Sequence, residues 1–128
     1  LPQPDLNIVC FAIGHPSLAT LEATNAFCDG VYAAMSVSGS TLARQLEYFV
    51  TKTVLRAGEY GSAAVPIVEG LGFTEADYLR AGGLGVIRCT AMNPLLADRR
   101  GRTDHIEGFA RTLGSVLAAE LARFSAPG

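Results

Sequence analysis

Two cationic side chains lie inside β-rich segments and could do chemistry there. Arg88 is in the middle of the apolar run 84–92, where period-2 alternation places Val86, Arg88 and Thr90 on one face. A guanidinium that projects from a sheet can hold a carboxylate through two parallel hydrogen bonds. From the spacing alone, a structural ion pair or a solvated side chain is the better interpretation, because structural ion pairs are common.

Lys52 is the sequence's one lysine, and it lies in the run 48–55, which is rich in aromatic and β-branched residues. A lysine on a packed strand can act as a nucleophile or form a Schiff base. No partner motif accompanies it, so an ordinary edge or surface lysine is the favoured interpretation.

The histidines and cysteines are His15, His105, Cys10, Cys28 and Cys89. None of them has the spacing of a C-x-x-C or H-E-x-x-H motif, so the sequence predicts no metal site and no Cys–His catalytic pair. Three widely spaced cysteines do not form a disulfide framework, and free cysteines in apolar stretches indicate core packing and a reducing compartment. We interpret His15 as a loop residue and His105 as part of a helix start.

Glycine-rich and arginine-rich segments offer two further candidate anion sites. The glycines of 70–72 and 82–85 fit no phosphate-binding motif, and neither group follows a strand and opens a helix, so we interpret both as turns. The basic cluster at 99–102 could bind an anion, but three arginines in a loop are usually solvated.

Six elements are needed to position these residues. Apolar and β-branched runs predict strands over 6–13, 48–55 and 84–92, the first of them buried on both faces. Apolar stripes and capping residues predict helices over 17–35, 74–80 and 103–124. We expect Ser17 and Asp104 to cap the long helices, and segment 56–72 to be irregular.

The composition excludes several classes of protein. The chain has 128 residues, of which 49% are hydrophobic and 17% charged, with a formal net charge of −2. It is therefore one domain's worth of folded chain, with no basic stripe for nucleic acid and no apolar run near the ~20 residues of a membrane span. We predict one α+β domain over 1–128, a two-layer sandwich with long helices on one face of a small antiparallel or mixed sheet. Its other face needs covering too, because the strands are not cleanly amphipathic.

Four segments together resemble a known family: DLNIVCFAIG, YFVTKTVL, GVIRCTAMNP and TDHIEGFARTLGSVLAAEL. In order and local sequence they are similar to the C-terminal small domain of the group II pyridoxal-phosphate-dependent decarboxylases, which include the glutamate, aromatic-amino-acid and tyrosine decarboxylases. The resemblance implies the small-domain fold of the fold-type I enzymes. It also implies that Arg88 faces the active-site cleft and binds the substrate's acidic group, and with it we favour this role over the structural ion pair.

The resemblance also implies what lies outside the chain. The family forms its Schiff base with a lysine that follows a histidine in the large domain, and this sequence has no His-Lys pair. We therefore expect a cytoplasmic, homodimeric carboxy-lyase with a large pyridoxal-phosphate-binding domain, of which this chain is a C-terminal portion. Alone, it should bind no cofactor and be inactive. The alternatives are the small domain of another fold-type I enzyme, an aminotransferase or lyase, or a free-standing α+β ligand-binding regulatory module.

Overall fold

A three-stranded sheet is the centre of the fold in the computed structural model, which describes residues 8–37, 46, 48–90 and 104–125. The strands are β1 (Ile8–Phe11), β2 (Thr51–Arg56) and β3 (Gly83–Thr90). The helices are α1 (Leu21–Ala34), α2 (Ala57–Tyr60), α3 (Val65–Gly70), α4 (Glu75–Ala81) and α5 (His105–Ser125), with a 3-10 turn at Gly61–Ala64. The predicted α+β class is confirmed.

The last strand along the chain is the middle strand of the sheet. The strand order is β1-β3-β2, and β3 runs antiparallel to both neighbours. In this register Arg88 lies directly opposite Cys10 on one side and Thr51 on the other. Directly opposed residues of an antiparallel pair project from the same face, so these three side chains form one row across the sheet.

The prediction that the first strand is buried on both faces is wrong. β1 is an edge strand, and Ile8 and Val9 are 36% and 38% exposed. An apolar run does not reveal whether a strand has one neighbour or two, because that depends on the order of strands in the sheet. β2 begins later than predicted, at Thr51, and β3 is described as far as Thr90, so the predicted strand end at 91–92 lies outside the described residues.

The two long helices pack on one face of the sheet, as predicted. Ile87 of β3 points into this core, together with residues of α1 and its flanks. The buried members of the core are Leu18, Phe27, Cys28, Val31, Met35, Val50 and Ile87.

Gly30 lets α5 approach α1, because a Cβ at this position would lie 2.5 Å from the Glu120 carboxylate. Glu120 is buried, and its carboxylate accepts a hydrogen bond from Arg123 at 2.8 Å.

The opposite face is covered by the segment that we expected to be irregular. Residues 57–70 instead form α2, the 3-10 turn and α3, and together with α4 they bury a second core. Its buried members are Leu21, Ala64, Val68, Tyr78, Leu84 and Val86. Glycines and a proline obscure helical periodicity over so short a stretch, although Pro66 at the start of α3 is a favourable helix-opening residue. The expectation that this face needs a cover is thus confirmed.

Two of the three predicted helix starts are confirmed. Thr74 and Asp77 form a reciprocal capping box at α4, and the Thr74 backbone and side-chain hydrogen bonds and Arg80 lower the pKa of Asp77 to about 2. Asp104 accepts hydrogen bonds from two backbone N–H groups at the start of α5. The Ser17 cap is wrong: Thr20 caps α1, while the Ser17 hydroxyl lies 2.7 Å from the His15 ring nitrogen.

β3 begins directly after α4 because of two adjacent glycines. Gly82 ends the helix with a φ of 74°, in the left-handed region that glycine adopts without strain. Gly83 starts the strand, and a Cβ there would lie 2.8 Å from the Leu55 carbonyl oxygen. The helix end therefore fixes the first residue of β3, and with it the face to which Arg88 belongs.

The side chain of Asn25 joins α1 to the central strand. Its amide nitrogen donates to the Gly83 carbonyl at 2.9 Å, and its oxygen accepts from the Gly85 N–H at 2.8 Å. β1 pairs only with residues 87–90 of β3, so Asn25 satisfies backbone groups in the stretch that β1 does not reach. Buried backbone groups without a partner are costly, so this amide acts as a local substitute for a neighbouring strand.

We predict that Asn25→Ala lowers the free energy of unfolding by about 1–3 kcal/mol, because it leaves a buried carbonyl and a buried N–H unpaired. Asn25→Asp keeps the acceptor for Gly85 but replaces the donor to Gly83 with a second acceptor, so it should also destabilise. Urea unfolding followed by circular dichroism measures both variants. An alanine variant as stable as the wild type would contradict the role assigned to this amide.

Candidate functional site

Arg88 projects from the central strand on the face away from the two long helices. Its strand neighbour Ile87 is buried on the helix-covered face, whereas Arg88 is exposed. The period-2 prediction for this strand is therefore confirmed for the described side chains. A central strand is held on both sides, so the backbone that carries Arg88 is among the best supported in the sheet.

Arg88 lies where the cover of its face ends. Leu84 and Val86, which precede it on the same face, are buried beneath the short helices. The row across the sheet at Arg88 is more open, with Cys10 half-buried and Thr51 exposed. The face therefore changes within one residue pair from an apolar core to a row that carries a thiol, a guanidinium and a hydroxyl.

The guanidinium is suited to bind an anionic group. None of the ion pairs that join two described side chains includes Arg88. Arginine presents a planar fork of donors that matches a carboxylate, and it stays charged at all physiological pH values. At the border of an apolar surface such a contact is screened less than it would be in open water.

Lys52 lies on the opposite face of the sheet from Arg88. It is the Cα partner of Ile87, and its ammonium group donates to the Asp29 carboxylate of α1. The same nitrogen lies 5.8 Å from the centre of the Tyr32 ring, and the side chain is 24% exposed. The interpretation of Lys52 as an ordinary edge lysine is supported, because β2 is an edge strand and these contacts attach it to α1.

The cysteines and histidines remain apart. All three thiols are free, and Cys10 and Cys89 alternate on β1 and β3 between opposite faces of the sheet. His15 is exposed in the loop after β1, whereas the ring of His105 stacks edge-on against Tyr48 at the start of α5. Across the described parts of the chain, no three metal-ligating side chains cluster.

Cys28 has the least reactive environment of the three thiols. It is buried between α1 and the sheet, and burial raises its pKa to about 11. Burial also raises the pKa of Cys89, which is half-buried. Thiolates are the nucleophilic form of cysteine, so both shifts favour the core-packing interpretation over a catalytic one.

We predict that iodoacetamide at pH 8 modifies Cys28 more slowly than either other cysteine, because its thiol is inaccessible and protonated. Peptide mass spectrometry at successive times measures the three rates in one sample. In denaturant the three rates should converge, which serves as the internal control. Equal labelling of Cys28 and Cys10 in the folded chain would show that Cys28 is not part of a closed core.

The interpretation of the glycine groups as turns is confirmed for Gly72 and Gly82, which have φ values of 89° and 74°. It is wrong for Gly70, which ends α3, and for Gly83 and Gly85, which lie in β3, because a glycine is compatible with a helix end or a strand as well as with a turn. The arginine cluster at 99–102 lies outside the described residues.

Comparison with known proteins identifies the family. Residues 1–121 match the family described as tyrosine decarboxylase, C-terminal. The chain belongs to this family. The resemblance to the C-terminal domain of the group II decarboxylases, inferred above from four sequence segments, is therefore confirmed.

Two relatives of this chain are named L-tyrosine decarboxylase and are much longer than it. An L-tyrosine decarboxylase from Levilactobacillus brevis is 29% identical over 122 residues, which are 94% of this chain and 18% of that protein. An L-tyrosine decarboxylase from Enterococcus faecalis (strain ATCC 700802 / V583) is 27% identical over 99 residues, 77% of this chain and 16% of that protein. The domain thus spans less than a fifth of the length of either relative.

The tyrosine decarboxylase C-terminal domain contains site neighbours that sequence reasoning missed. Thr51 and Cys10 flank Arg88 only because of the strand register, which pairs residues 37 and 78 positions away in the chain. Alternation along one strand assigns faces but not partners, so no signal within any one segment could have found this row.

None of the helices in the described parts of the chain has the length and apolar character that a membrane span requires.

Proposed function

We propose that this chain is the C-terminal small domain, over 1–128, of a pyridoxal-phosphate-dependent amino-acid decarboxylase of the tyrosine decarboxylase type. The proposal is supported by membership of the C-terminal domain family and by two relatives named L-tyrosine decarboxylase. The complete enzyme is a homodimeric carboxy-lyase of the cytoplasm, in which a large domain accompanies this one. L-tyrosine is the first substrate to assay.

Within that enzyme the domain walls the active-site cleft and presents Arg88 to the acidic group of the substrate. The observation that carries this proposal is the position of Arg88: exposed, on the central strand, at the border of a buried apolar surface. The guanidinium orients the substrate through two parallel hydrogen bonds and neutralises its negative charge. The apolar surface next to it keeps competing water away from that contact.

The described residues of this chain do not fit the task of holding the cofactor. A Schiff base needs an accessible lysine, and Lys52 is engaged by Asp29 and Tyr32 on the helix-covered face. We therefore assign cofactor binding and the bond-breaking step to the large domain. The contribution of this chain is to bind and orient the substrate.

We predict that pyridoxal phosphate added to the isolated chain produces no lysine-linked chromophore. The reason is that the Lys52 ammonium group is engaged by Asp29 and Tyr32 and lies on the helix-covered face of the sheet. The mixture is passed through gel filtration without borohydride reduction, and the visible absorbance of the protein fraction measures the cofactor that it retains. Lys52→Arg serves as a matched control for nonspecific adducts. Retained absorbance that disappears in Lys52→Arg would show that this chain holds the cofactor itself.

We predict that Arg88→Met in the complete enzyme lowers kcat/KM for decarboxylation by roughly ten- to a hundredfold, because a charge-assisted contact of about 1.5–3 kcal/mol is lost. Methionine keeps much of the stem's packing. Arg88→Lys should recover only part of the activity, because an ammonium group cannot make the paired contact. Steady-state kinetics and thermal unfolding of each variant provide the measurement.

Arg56→Met is the matched control, since Arg56 is also an exposed arginine of the sheet but is paired with Glu59 at 3.4 Å on the other face. It should keep wild-type kinetics. Wild-type kinetics in Arg88→Met, or loss of the fold, would show that Arg88 is a structural residue.

A further inference from the structure

The pairing of β3 with β2 ends at Arg88, whereas its pairing with β1 continues. β2 pairs with β3 from Arg56 opposite Gly83 to Thr51 opposite Arg88, and Thr51 is the first residue of β2. The pairing of β1 with β3 continues to Thr90. Arg88 is therefore the last residue of β3 that has a neighbour in both other strands.

At this position a side chain supplements the ladder. The hydroxyl of Thr51 donates to the carbonyl oxygen of Arg88 at 3.2 Å. Thr51 is itself fixed from the other side, because the N–H of the preceding Val50 donates to the Met35 carbonyl at 2.9 Å and the Val50 side chain is buried. The hydroxyl thus connects the backbone of Arg88 to a residue whose position is determined by the end of α1.

We propose that Thr51 is a positioning residue for Arg88. The proposal rests on the function proposed above, in which Arg88 binds the acidic group of the substrate. The guanidinium lies at the end of a long side chain, so a small rotation of the strand moves it much farther than it moves the backbone. A hydrogen bond to the Arg88 carbonyl restrains that rotation at the point where β2 stops supporting β3.

The chemistry of threonine makes the proposal specific. Serine retains the hydroxyl donor, whereas valine retains the branched shape and β-propensity but has no donor. The two substitutions therefore separate the hydrogen bond from the packing of the side chain. Thr53, two residues along the same face, pairs with Val86 and provides a matched position in the same strand.

The experiment compares Thr51→Val, Thr51→Ser and Thr53→Val in the complete enzyme. Loss of one neutral hydrogen bond is expected to lower kcat/KM by roughly three- to tenfold in Thr51→Val. The change should divide between KM and kcat in the same proportion as in Arg88→Met, which a general loss of stability would not reproduce. Thr51→Ser and Thr53→Val should retain wild-type values. If Thr51→Val does not fold, Thr51→Ala takes its place.

A double-mutant cycle with Arg88→Met decides whether Thr51 acts through the arginine. In the Arg88→Met background, Thr51→Val should have no further effect. Overturning results are wild-type kinetics in Thr51→Val, or an equal loss with and without Arg88. If Arg88→Met itself has wild-type kinetics, the proposed function of Arg88 fails as well, whereas an impaired Arg88→Met with a wild-type Thr51→Val refutes only the role of Thr51.

Discussion

The geometry of the site depends on the two hydrogen bonds that the side-chain amide of Asn25 makes to β3. This amide binds a carbonyl and an N–H of β3 in the stretch that β1 does not cover, and so fixes the central strand to α1. Gly82 and Gly83 connect the end of α4 directly to the start of β3. Once the first residues of β3 are held, alternation alone places every later side chain of the strand on a definite face.

The two faces of the sheet have different roles. One face carries Ile87 into the core beneath α1 and α5, and the Lys52–Asp29 pair closes the edge of that core. The other is covered by short helices only as far as Val86, after which Arg88 is exposed. A small sheet whose centre is covered by long helices on one side and by short helices over part of the other can be both stable and available for binding.

Lys52 and Arg88 differ in the same way. Lys52 attaches β2 to α1 through its contacts with a carboxylate and an aromatic ring of that helix. The guanidinium of Arg88 is exposed, and its planar fork of donors is suited to bind a planar anionic group outside the two cores. Under the function proposed above, Arg88 is the binding group that this domain adds to a site that the rest of the enzyme completes.

The sequence by itself determined those features that depend on neighbouring residues. The Thr74–Asp77 capping box, the Asp104 cap, the long apolar stripe of α5 and the outward face of Arg88 follow from hydrogen bonds and periodicities within a few residues. Only the tertiary structure decided that β1 is an edge strand, that 57–70 is helical, and that Asn25 and Thr51 contact β3. These features depend on contacts between residues far apart in the chain, and a local pattern assigns a face to a residue without identifying its partner.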